Sequence, residues 1–509
     1  MKVAIRTDAS LLIGSGHAMR CKTLADELRF RGAEVVFVCR DHPGNMVPLL
    51  RDDGYFVTTL PSPNSLNVVQ ADKSDEYSTW LGVDKSVDAL QTIEALRDFN
   101  PDWLVVDHYG LDENWEKKLR KHVGKIFVIA DLTDRPHECD VLLNQNLLDN
   151  LDNAYQGLVP HHCRKLLGPR FALLRPEFRK ARETLRERDG IIRRILVFFG
   201  GVDPTGETEK ALEALRMLGR PDVAVDVVVG SNNPKGEKIE AICRGMDNVA
   251  FHQQISNMAE LMAAADLAIG AGGTASWERC CLGLPALVTI IADNQAKPTS
   301  SLAGRGAVAN LGTSANLRVQ DYLSAIVDLT PEKMCQMQTK CLDLTDGRGL
   351  ERVILSLSLE PVRLRRATEQ DAKKIWYWRN HPTTRRYVLN PLTVGLDEHM
   401  AWWNESMMNS KRIILLASRL GLDFGVIRYD ILGKRATVSV YLDPGLHGFG
   451  LGIALLNTGE VWLKEQLPAL NSIEAIVLPE NTNSKSCFAA AGFYENSVDK
   501  KWYKEIGRN

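Results

Sequence analysis

A regular alternation of short apolar runs with segments of helical periodicity extends from residue 2 to about residue 350. The runs in its first part are VAIRTD, EVVFVCR, WLVVDHY, KIFVIAD and CDVLLNQN, and those in its second part are RRILVFFGG, AVDVVVG, NVAFH, DLAIGAG and PALVTII. Such alternation is typical of parallel sheets that carry helices on both faces. Ligands of these folds bind beyond the carboxyl ends of the strands, so we expect the chemistry at those ends.

The chain of 509 residues is longer than a single hydrophobic core usually supports. The alternation divides around residues 160 to 190, where GPRFALLRPEF is followed by the charged RKARETLRERDG, and it stops near Asp346–Leu350. A new pattern begins at VRLRRATEQDAKKIWYWRN, where Thr368 is an N-cap candidate. We predict two Rossmann-like domains, at residues 1–165 and 166–355, followed by an α+β domain at residues 360–509.

The charge, the apolar runs and the cysteines of the sequence limit the kinds of partner that the protein is expected to bind. The formal net charge is −2, with 45% hydrophobic and 25% charged residues, so nothing in the overall charge attracts nucleic acid or an anionic membrane. No run of about 18 apolar residues is present, and MKVAIRTDAS lacks the apolar region of a signal peptide. The ten cysteines show no CxxC pair or zinc spacing. We therefore expect a cytoplasmic protein without metal, nucleic acid or membrane partners.

The first candidate site follows the strand VAIRTD. Gly14, Ser15 and Gly16 form a loop, and His17 begins a helical segment that includes Arg20. A helix N-terminus binds anions through its unpaired amides, and a neutral imidazole there accepts a proton. His17 is thus placed like a general base, although a polar residue that only caps a helix has the same pattern.

A second glycine turn lies in the second half of the alternation. The run DLAIGAG leads to Gly272, Gly273 and Thr274, and the following helical segment carries Glu278 one turn inside. Backbone amides at such a turn suit a diphosphate, and a carboxylate at that depth suits the two hydroxyls of a ribose. An ordinary strand-to-helix turn with a solvent-facing glutamate is the alternative. Phe199–Gly201 and Asp293–Gln295 are expected to face the same cleft.

Taken together, these motifs resemble one enzyme family. RTDAS, IGSGHAMRC, VVDHYGLD, GPRFALLRPEF, FFGGVDPTG and AGGTASWERCCLGLPAL cover residues 1 to about 352 and are similar to the UDP-2,4-diacetamido-2,4,6-trideoxy-β-L-altropyranose hydrolases of pseudaminic acid biosynthesis, relatives of the GT-B glycosyltransferases. The resemblance implies metal-independent hydrolysis at the anomeric carbon, with His17 activating water. Its other implied contacts are Gly14–His17 and Gly272–Thr274 for the diphosphate, Glu278 for the ribose, Asn257 and Met258 for the nucleotide, and Asn294 and Gln295 for the sugar.

Further polar residues follow the strands of the first half. They are Asp8, Asp107, His108, Tyr109, Asp131 and Asp134. Because the carboxyl ends of parallel strands share one edge, we expect some of these side chains to position His17 or the substrate. The sequence does not say which ones. For Asn257 the alternative role is that of a helix N-cap.

The C-terminal region has its own glycine-rich turn, at Asp443–Gly452 after the strand ATVSVYL. Its spacing resembles the Q/R-x-x-G-x-G/A signature of the GNAT acetyltransferases, with His447 at the first position, and NTNSKSCFAAAGF resembles their second coenzyme A segment. The resemblance covers residues 362 to about 505 and implies direct transfer from acetyl-CoA to the amine of a UDP-linked amino sugar. The implied coenzyme A contacts are Val440, Leu442, His447, Gly448, Gly450, Gly452, Asn483 and Ser486.

One residue departs from the GNAT pattern. Many members carry a tyrosine that protonates the leaving thiolate, and Phe488 occupies that position here. Ser486, Cys487, Tyr494 or water are the candidate replacements. The aromatic residues Trp376, Tyr377, Trp378, Trp402 and Trp403 form either an acceptor site or core.

Two other functions remain open from the sequence. In one, the C-terminal region is a catalytically impaired binding or regulatory module beside an active hydrolase. In the other, the first region is a GT-B glycosyltransferase that transfers the sugar to an acceptor other than water. Association with other enzymes of the sugar pathway is also left open.

Overall fold

Three sheets make up the protein, which we describe from a computed structural model covering residues 1–63, 77–148, 150–151, 153–231, 233–358 and 360–506. The chain separates into two units, Met1–Val353 and Ile354–Asn509. Unit 1 contains two parallel sheets, and unit 2 contains one mixed sheet. The predicted fold class is confirmed, since two Rossmann-like halves precede an α+β domain.

The first sheet is parallel and has the strand order β3-β2-β1-β4-β5-β6-β7, which begins like that of a Rossmann fold. Its strands are Lys2–Thr7, Glu34–Arg40, Phe56–Leu60, Trp103–Asp107, Lys125–Ile129, Val141–Asn144 and Arg164–Leu167 (β1–β7). Its helices are Gly16–Phe30, Val47–Asp52, Ser78–Leu81, Lys85–Leu96 and Glu113–Leu119 (α1–α5). The central strands are buried, with Val3, Ala4 and Ile5 fully inaccessible to solvent.

The second sheet repeats this plan in the order β10-β9-β8-β11-β12-β13, again parallel throughout. Its strands are Arg194–Phe198, Ala224–Val229, Val249–Gln253, Leu267–Ala271, Ala286–Ile290 and Ala309–Thr313 (β8–β13). Its helices are Pro176–Glu183, Glu207–Leu218, Gly236–Arg244, Met258–Ala264, Ala275–Cys281, Ala296–Gly304, Val319–Val327, Pro331–Leu344 and Gly349–Leu357 (α6–α14). Both halves of unit 1 therefore present strand-to-helix loops at the carboxyl edge of a sheet.

The sheet of unit 2 has the order β14-β15-β16-β17-β18-β20-β19. Its strands are Arg363–Arg366, Arg412–Arg419, Leu422–Leu432, Arg435–Leu442, Ser472–Ala475, Tyr494–Glu495 and Trp502–Glu505 (β14–β20). Its helices are Ala372–Asn380, Pro382–Arg385, Leu396–Met408, Leu451–Gln466 and Thr482–Ala490 (α15–α19). Neighbouring strands are antiparallel except for β17 and β18, which are parallel.

Strands β17 and β18 stay together over only part of their length. Arg435–Val438 pair with Ser472–Ala475, whereas β17 continues to Leu442. Within described residues 360–506, Ser439–Leu442 therefore pair with β16 alone. The carboxyl end of β17 is left with an open edge of backbone groups beside α18.

The aromatic residues considered for the acceptor site of unit 2 divide between core and surface. Trp378 and Trp403 are buried in one cluster with Ile375, Ile414 and Leu416, which confirms the core interpretation for these two. Tyr377, in contrast, is 61% exposed. Among the helices of the described chain, none is both long enough and apolar enough to cross a membrane.

A buried ionic cluster holds the first sheet against its helices. Asp88 of α4 accepts hydrogen bonds from Arg6 of β1 at 2.7 Å, from Arg40 of β2 at 2.6 Å and from the indole of Trp115 of α5 at 3.0 Å. Arg6, Arg40 and Asp88 are fully buried. Because an unpaired charge in such surroundings is costly, the carboxylate fixes three elements at once.

Removal of this carboxylate is predicted to destabilise unit 1. Asp88→Ala removes the carboxylate that Arg6 and Arg40 share, so that Arg6 keeps only Asp8 while Arg40 is left without a carboxylate partner among the described residues. The loss of this buried pairing is expected to lower the free energy of unfolding by about 3–5 kcal/mol. Urea denaturation of the full chain, with hydrogen exchange of the β1 and β2 amides, measures the loss in unit 1. The control is Asp98→Ala at an exposed position, where a change within about 0.5 kcal/mol is expected. Equal effects of the two substitutions would contradict the account.

Candidate active sites in the two units

His17 forms a short hydrogen bond to a buried carboxylate. It lies in the first turn of α1, and its Nδ1 is 2.6 Å from Oδ1 of Asp107 at the end of β4. Asp107 is fully buried, and His17 is 8% exposed. Because an ionised carboxylate can only accept a hydrogen bond, the ring proton of His17 lies on Nδ1. The lone pair of the ring is then on Nε2. This arrangement orients a histidine as a proton acceptor.

Arg20 lies one turn further along α1, and its positive charge is paired with the carboxylates of Asp107 and Asp131. Its guanidinium donates to both oxygens of Asp107, at 2.6 and 2.7 Å, and to Asp131 Oδ2 at 2.7 Å. Burial acts to raise the pKa of Asp107, but the charges of Arg20 and His17 outweigh it and hold that pKa below its usual range. Asp107 is therefore ionised beside His17 at neutral pH.

Aromatic rings enclose the imidazole. Tyr109 packs edge-on against His17 with ring centroids 4.6 Å apart, and its hydroxyl donates to Asp131 Oδ2 at 2.6 Å. Trp80 stacks on Tyr109 at 5.3 Å and lies 6.1 Å from His17. Burial and the Asp131 charge raise the pKa of Tyr109, so its phenol stays protonated. His17 thus has an apolar wall on one side and a fixed ion pair on the other.

The remaining polar strand-end residues lie elsewhere. Asp8 accepts from Arg6 at 2.6 Å and from the Arg40 amide at 2.7 Å, and its other oxygen is 3.4 Å from His108 Nε2. Asp134 pairs with the neighbouring Arg135 and is largely exposed. Of the six residues that the sequence offered, Asp107, Tyr109 and Asp131 are the ones that surround His17.

Loops of the second half lie against the His17 loop. A methyl group added at Gly16 would be 3.7 Å from Thr274 Oγ1, and one added at Gly201 would be 3.9 Å from Ser15 Oγ. The side chain of Asn294 lies close enough to the Tyr109 phenol to act on its pKa, which it lowers against the larger effects of burial and Asp131. The predicted diphosphate loops at residues 14–17 and 272–274 therefore share one cleft with His17.

Gln295 lies beside the turn of the second half. Its Oε1 accepts from the Ile291 amide at 3.1 Å, and its Nε2 would be 3.8 Å from a methyl group added at Gly273. Gly272 has no room for a side chain, since an added methyl would lie 2.1 Å from Thr299 Oγ1. Glycine is required here because the turn packs directly on α11.

Glu278 lies in α10 beside a guanidinium. Arg175 Nη2 is 3.5 Å from Glu278 Oε1, and its Nη1 is 3.2 Å from Glu177 Oε1. Burial raises the pKa of Glu278, and the charge of Arg175 opposes this shift. Arg175 therefore opposes the rise in the pKa of Glu278, the carboxylate that the sequence assigns to the ribose.

Asn257 and Met258 occupy different environments. Asn257 is exposed and donates to Glu260 Oε2 at 3.4 Å, and the charge of Glu260 in turn raises the pKa of Glu177. Met258 is 6% exposed and packs in the hydrophobic core. Asn257 thus has an exposed side chain, whereas the side chain of Met258 is buried.

Sequence reasoning missed the partners that come from distant segments. Arg175, Trp80 and Asn146, which donates to Asp131 at 3.0 Å, had no assigned role. Arg175 belongs to the quoted motif GPRFALLRPEF, which was the available signal for it. Asn146 likewise ends the quoted run CDVLLNQN, whereas Trp80 follows no local pattern.

In unit 2 the glycine turn joins β17 to α18. Gly448 and Gly450 have positive φ angles of 89° and 68°, and Gly450 precedes α18 directly. His447, Gly448 and Gly450 are exposed, and the buried Asp443 stabilises the turn by accepting from the Gly445 amide at 2.9 Å. The turn offers backbone amides at the N-terminus of a helix of 16 residues.

The predicted coenzyme A residues lie on the open edge of β17, in the turn that follows it with the start of α18, and on α19. Val440 and Leu442 lie in the part of β17 that pairs with β16 alone. Gly452 packs directly on α19, since an added methyl would lie 2.7 Å from Cys487 Sγ. Asn483 and Ser486 are exposed on α19. An extended ligand that enters this edge meets both the strand amides and the turn.

Phe488 belongs to the core. It is 5% exposed, and its ring packs edge-on against Phe493 with centroids 5.0 Å apart. Phe488 therefore packs in the core, and it also lacks the hydroxyl that serves as the acid in the family pattern. Among the described residues, no group of three or more His, Cys, Asp or Glu side chains is arranged to hold a metal ion.

The first region has named sequence relatives, although no family model matches the chain. The UDP-2,4-diacetamido-2,4,6-trideoxy-beta-L-altropyranose hydrolase of Campylobacter jejuni is 26% identical over 262 residues, covering 52% of this chain and 81% of that protein. The spore coat polysaccharide biosynthesis protein SpsG of Bacillus subtilis is 25% identical, covering 69% of this chain and 96% of that protein. These matches confirm the resemblance that the motifs indicated.

One relative matches a larger share of the chain. An uncharacterised protein of Methanocaldococcus jannaschii is 24% identical over 437 residues, covering 82% of this chain and 80% of that protein. This share exceeds the 353 residues of unit 1, so the similarity extends into unit 2.

Solved structures also match the chain. MurG from Acinetobacter baumannii has a TM-score of 0.47 and 15% identity, covering 69% of this chain and 97% of that structure. Spermidine N-acetyltransferase from Vibrio cholerae, solved with CoA and spermine, has a TM-score of 0.27 and 18% identity, covering 28% of this chain and 95% of that structure.

The Arg20–Asp107 pair gives a pH-dependent prediction. Arg20→Met breaks a buried pair and is expected to lower the free energy of unfolding by about 3–5 kcal/mol near neutral pH. A depressed carboxyl pKa stabilises the fold above the unfolded value of about 3.9, and this contribution is lost as the pH falls toward the folded value. The variant lacks this contribution, so its deficit shrinks below about pH 5.

Urea titrations at neutral and acidic pH measure this deficit. The control is Arg97→Met, which removes an exposed pair with Glu94 and is expected to change stability by less than about 1 kcal/mol at either pH. A deficit of Arg20→Met that grows as the pH falls would show that Asp107 is not the partner that matters.

Proposed function

We propose that the chain is a bifunctional nucleotide-sugar enzyme of nonulosonic, pseudaminic-type acid biosynthesis. Unit 1 releases UDP from a UDP-2,4-diacetamido-2,4,6-trideoxyhexose by hydrolysis. Unit 2 transfers the acetyl group of acetyl-CoA to a UDP-4-amino-4,6-dideoxy sugar. The observation that carries the proposal is the 2.6 Å contact between His17 and the buried Asp107, in the cleft that also holds the glycine turn at residues 272–274.

The hydrolytic step is a direct displacement by water. Asp107 holds the imidazole through Nδ1, so Nε2 accepts a proton from water as the water oxygen attacks the anomeric carbon. The bond between that carbon and the β-phosphate oxygen breaks, and its electron pair leaves with UDP. Arg20 keeps Asp107 ionised, which stabilises the imidazolium that forms.

The leaving diphosphate gains negative charge during this step. The loop amides of Gly14–His17 and of Gly272–Thr274, two loops that approach each other at Gly16 and Thr274, are the groups we assign to that charge. Helix α1 adds the positive end of its dipole, because His17 lies in its first turn. Both contributions strengthen as the bond breaks, as transition-state stabilisation requires.

The nucleotide is assigned to the second half, residues 166–355. Glu278 takes the ribose hydroxyls, and Arg175 Nη2 lies 3.5 Å from its Oε1. Asn257 and the backbone of Met258 take the base side of the nucleotide, and Asn294 and Gln295 take the sugar. The contact of Asn294 with Tyr109 supports this last assignment, because it brings the sugar residues to the catalytic histidine.

For unit 2, the open edge of β17 supports the acyltransferase. An acetyl-CoA lying along this edge would direct its thioester carbonyl to the amides near Val440 and Leu442 and its pyrophosphate to the turn at His447–Gly452. Asn483 and Ser486 on α19 complete this assignment. The acceptor amine then attacks the thioester directly, without a covalent enzyme intermediate.

The two activities are consecutive. The 4-amino group is acetylated while the sugar still carries UDP, and UDP is then removed from the diacetamido sugar. The buried Phe488 favours a second candidate function for unit 2 only, a binding or regulatory module without acyl transfer.

His17 and Asp107 are predicted to act together. With the pre-acylated UDP sugar, His17→Ala is expected to lower kcat for UDP release by about 10²-fold or more, because the proton acceptor is lost. Asp107→Asn keeps the shape but removes the charge that orients the ring, and a loss of similar size is expected with little change in KM. Coupled detection of free UDP measures both.

Matched controls are His122→Ala and Asp98→Asn at exposed positions, which are expected to keep the wild-type rate. Unchanged UDP release in His17→Ala would overturn the proposed mechanism.

The activity of unit 2 is tested by thiol release. With a UDP-4-amino-4,6-dideoxy sugar and acetyl-CoA, the chain is expected to form free coenzyme A only when the sugar is present, and the sugar is expected to gain the mass of one acetyl group. Absence of sugar-dependent thiol, alongside efficient hydrolysis of the pre-acylated substrate, would favour the binding-module function instead.

A further inference from the structure

Acyl transfer in unit 2 needs a proton for the departing thiolate, and Phe488 does not supply one. Its ring is enclosed by Phe493 and Trp502, with centroids 5.0 and 6.4 Å away. A replacement acid must lie near the carboxyl end of β17, where the thioester is assigned. The inference of such an acid rests on the proposed acyltransferase activity of unit 2.

Tyr494 is too far away to be this acid. It lies in β19, which the sheet order separates from β17 by β18 and β20. At about 4.8 Å per strand, its backbone is roughly 14 Å from β17. Its side chain is 55% exposed and pairs with Tyr503 at the outer edge.

The residues of α19 are poorly placed as well. Ser486 is exposed. Cys487 Sγ contacts the turn at Gly452, where the pyrophosphate is assigned, rather than the strand that would hold the thioester. If the acid is a side chain rather than water, it must therefore come from another element.

Tyr441 lies in β17 itself, between Val440 and Leu442. Leu442 faces α18, because its Cδ2 and that of Leu455 both lie about 3 Å from a methyl group added at Gly425. Side chains alternate along a strand, so Tyr441 faces the opposite side. There it packs against the cluster that contains Trp378 and Trp403.

Two guanidiniums act on the Tyr441 phenol. Burial raises its pKa, and the charges of Arg428 on β16 and Arg379 on α15 oppose that rise. Arg428 is 3.0 Å from Asp430, whereas Arg379 donates to the backbone carbonyls of Leu392 and Asn390 at 2.9 and 2.5 Å. Arg385 of α16 and Glu398 of α17 are the charged groups that act on Arg379 from neighbouring helices, with opposite signs.

We infer that Tyr441 is the general acid of the acyltransferase, in place of the tyrosine that Phe488 replaces. Its phenol is protonated at neutral pH and can donate. After donation, the charges of Arg428 and Arg379 oppose part of the cost of burying the phenolate.

The step balances in protons and electrons. The amine nitrogen of the sugar bonds to the thioester carbon, and the carbon–sulfur bond breaks with its electron pair on sulfur. The Tyr441 hydroxyl proton passes to that sulfur and gives coenzyme A as a free thiol. The phenolate then takes a proton from the nitrogen of the new amide, which restores the phenol.

Tyr441→Phe in the full chain tests the inference. Single-turnover thiol release is expected to slow by about 10²-fold, because acid catalysis is lost. The KM for acetyl-CoA and the affinity for coenzyme A are expected to stay unchanged, since the hydroxyl acts on the leaving group. Tyr494→Phe is the matched control and is expected to keep the wild-type rate.

Each outcome separates the two levels of the proposal. If the wild-type chain releases no sugar-dependent thiol, the proposed acyltransferase fails. If it does, and Tyr441→Phe keeps the rate or Tyr494→Phe loses it, the inference about Tyr441 fails. Should Tyr441→Phe lose coenzyme A binding, Tyr441→3-fluorotyrosine keeps the hydroxyl and changes its acidity. A rate that follows this acidity supports the inference, and a rate equal to the wild type overturns it.

Discussion

The carboxylate of Asp107 is the constraint on which unit 1 depends. It ends β4, it is fully buried, and both of its oxygens are held by α1, through His17 and Arg20. A buried charge of this kind is stable only with its partners in place, so α1 has one position relative to the sheet. Arg20 extends the same constraint to Asp131 beyond β5. The position of the proposed base is therefore set by the charge balance of the fold.

A glycine-containing loop that joins a strand to the N-terminus of a helix appears three times in the chain. Strand β1 leads through Gly14–Gly16 to α1, β11 leads through Gly272–Thr274 to α10, and β17 leads through His447–Gly450 to α18. Each loop exposes backbone amides at a helix N-terminus, which suits a phosphate group. In unit 1 two such loops meet in one cleft, whereas in unit 2 one loop adjoins an open strand edge. The difference fits UDP in the first case and an extended acyl carrier in the second.

The strands and the loops were predictable from the sequence because their signals are local. All ten apolar runs of the alternation form strands, and the glycine turns lie where the motifs put them. The strands Phe56–Leu60, Arg164–Leu167 and Ala309–Thr313 were missed, because edge strands are short and less apolar. The choice of Asp107 over Asp8 as partner of His17, and the pairing of Arg175 with Glu278, depend on contacts between distant segments. The hydrophobic periodicity of a single sequence predicts helices and strands, but it carries no information about contacts between distant segments.

The central claim is that unit 1 cleaves the bond between the anomeric carbon and oxygen by attack of water. The most direct measurement is hydrolysis of the UDP-diacetamido sugar in water enriched in oxygen-18, with the mass of the UDP product as the readout. Attack at the anomeric carbon leaves the bridging oxygen on UDP, so UDP is predicted to be unlabelled. UDP that contains oxygen-18 would mean attack at phosphorus and would contradict the account.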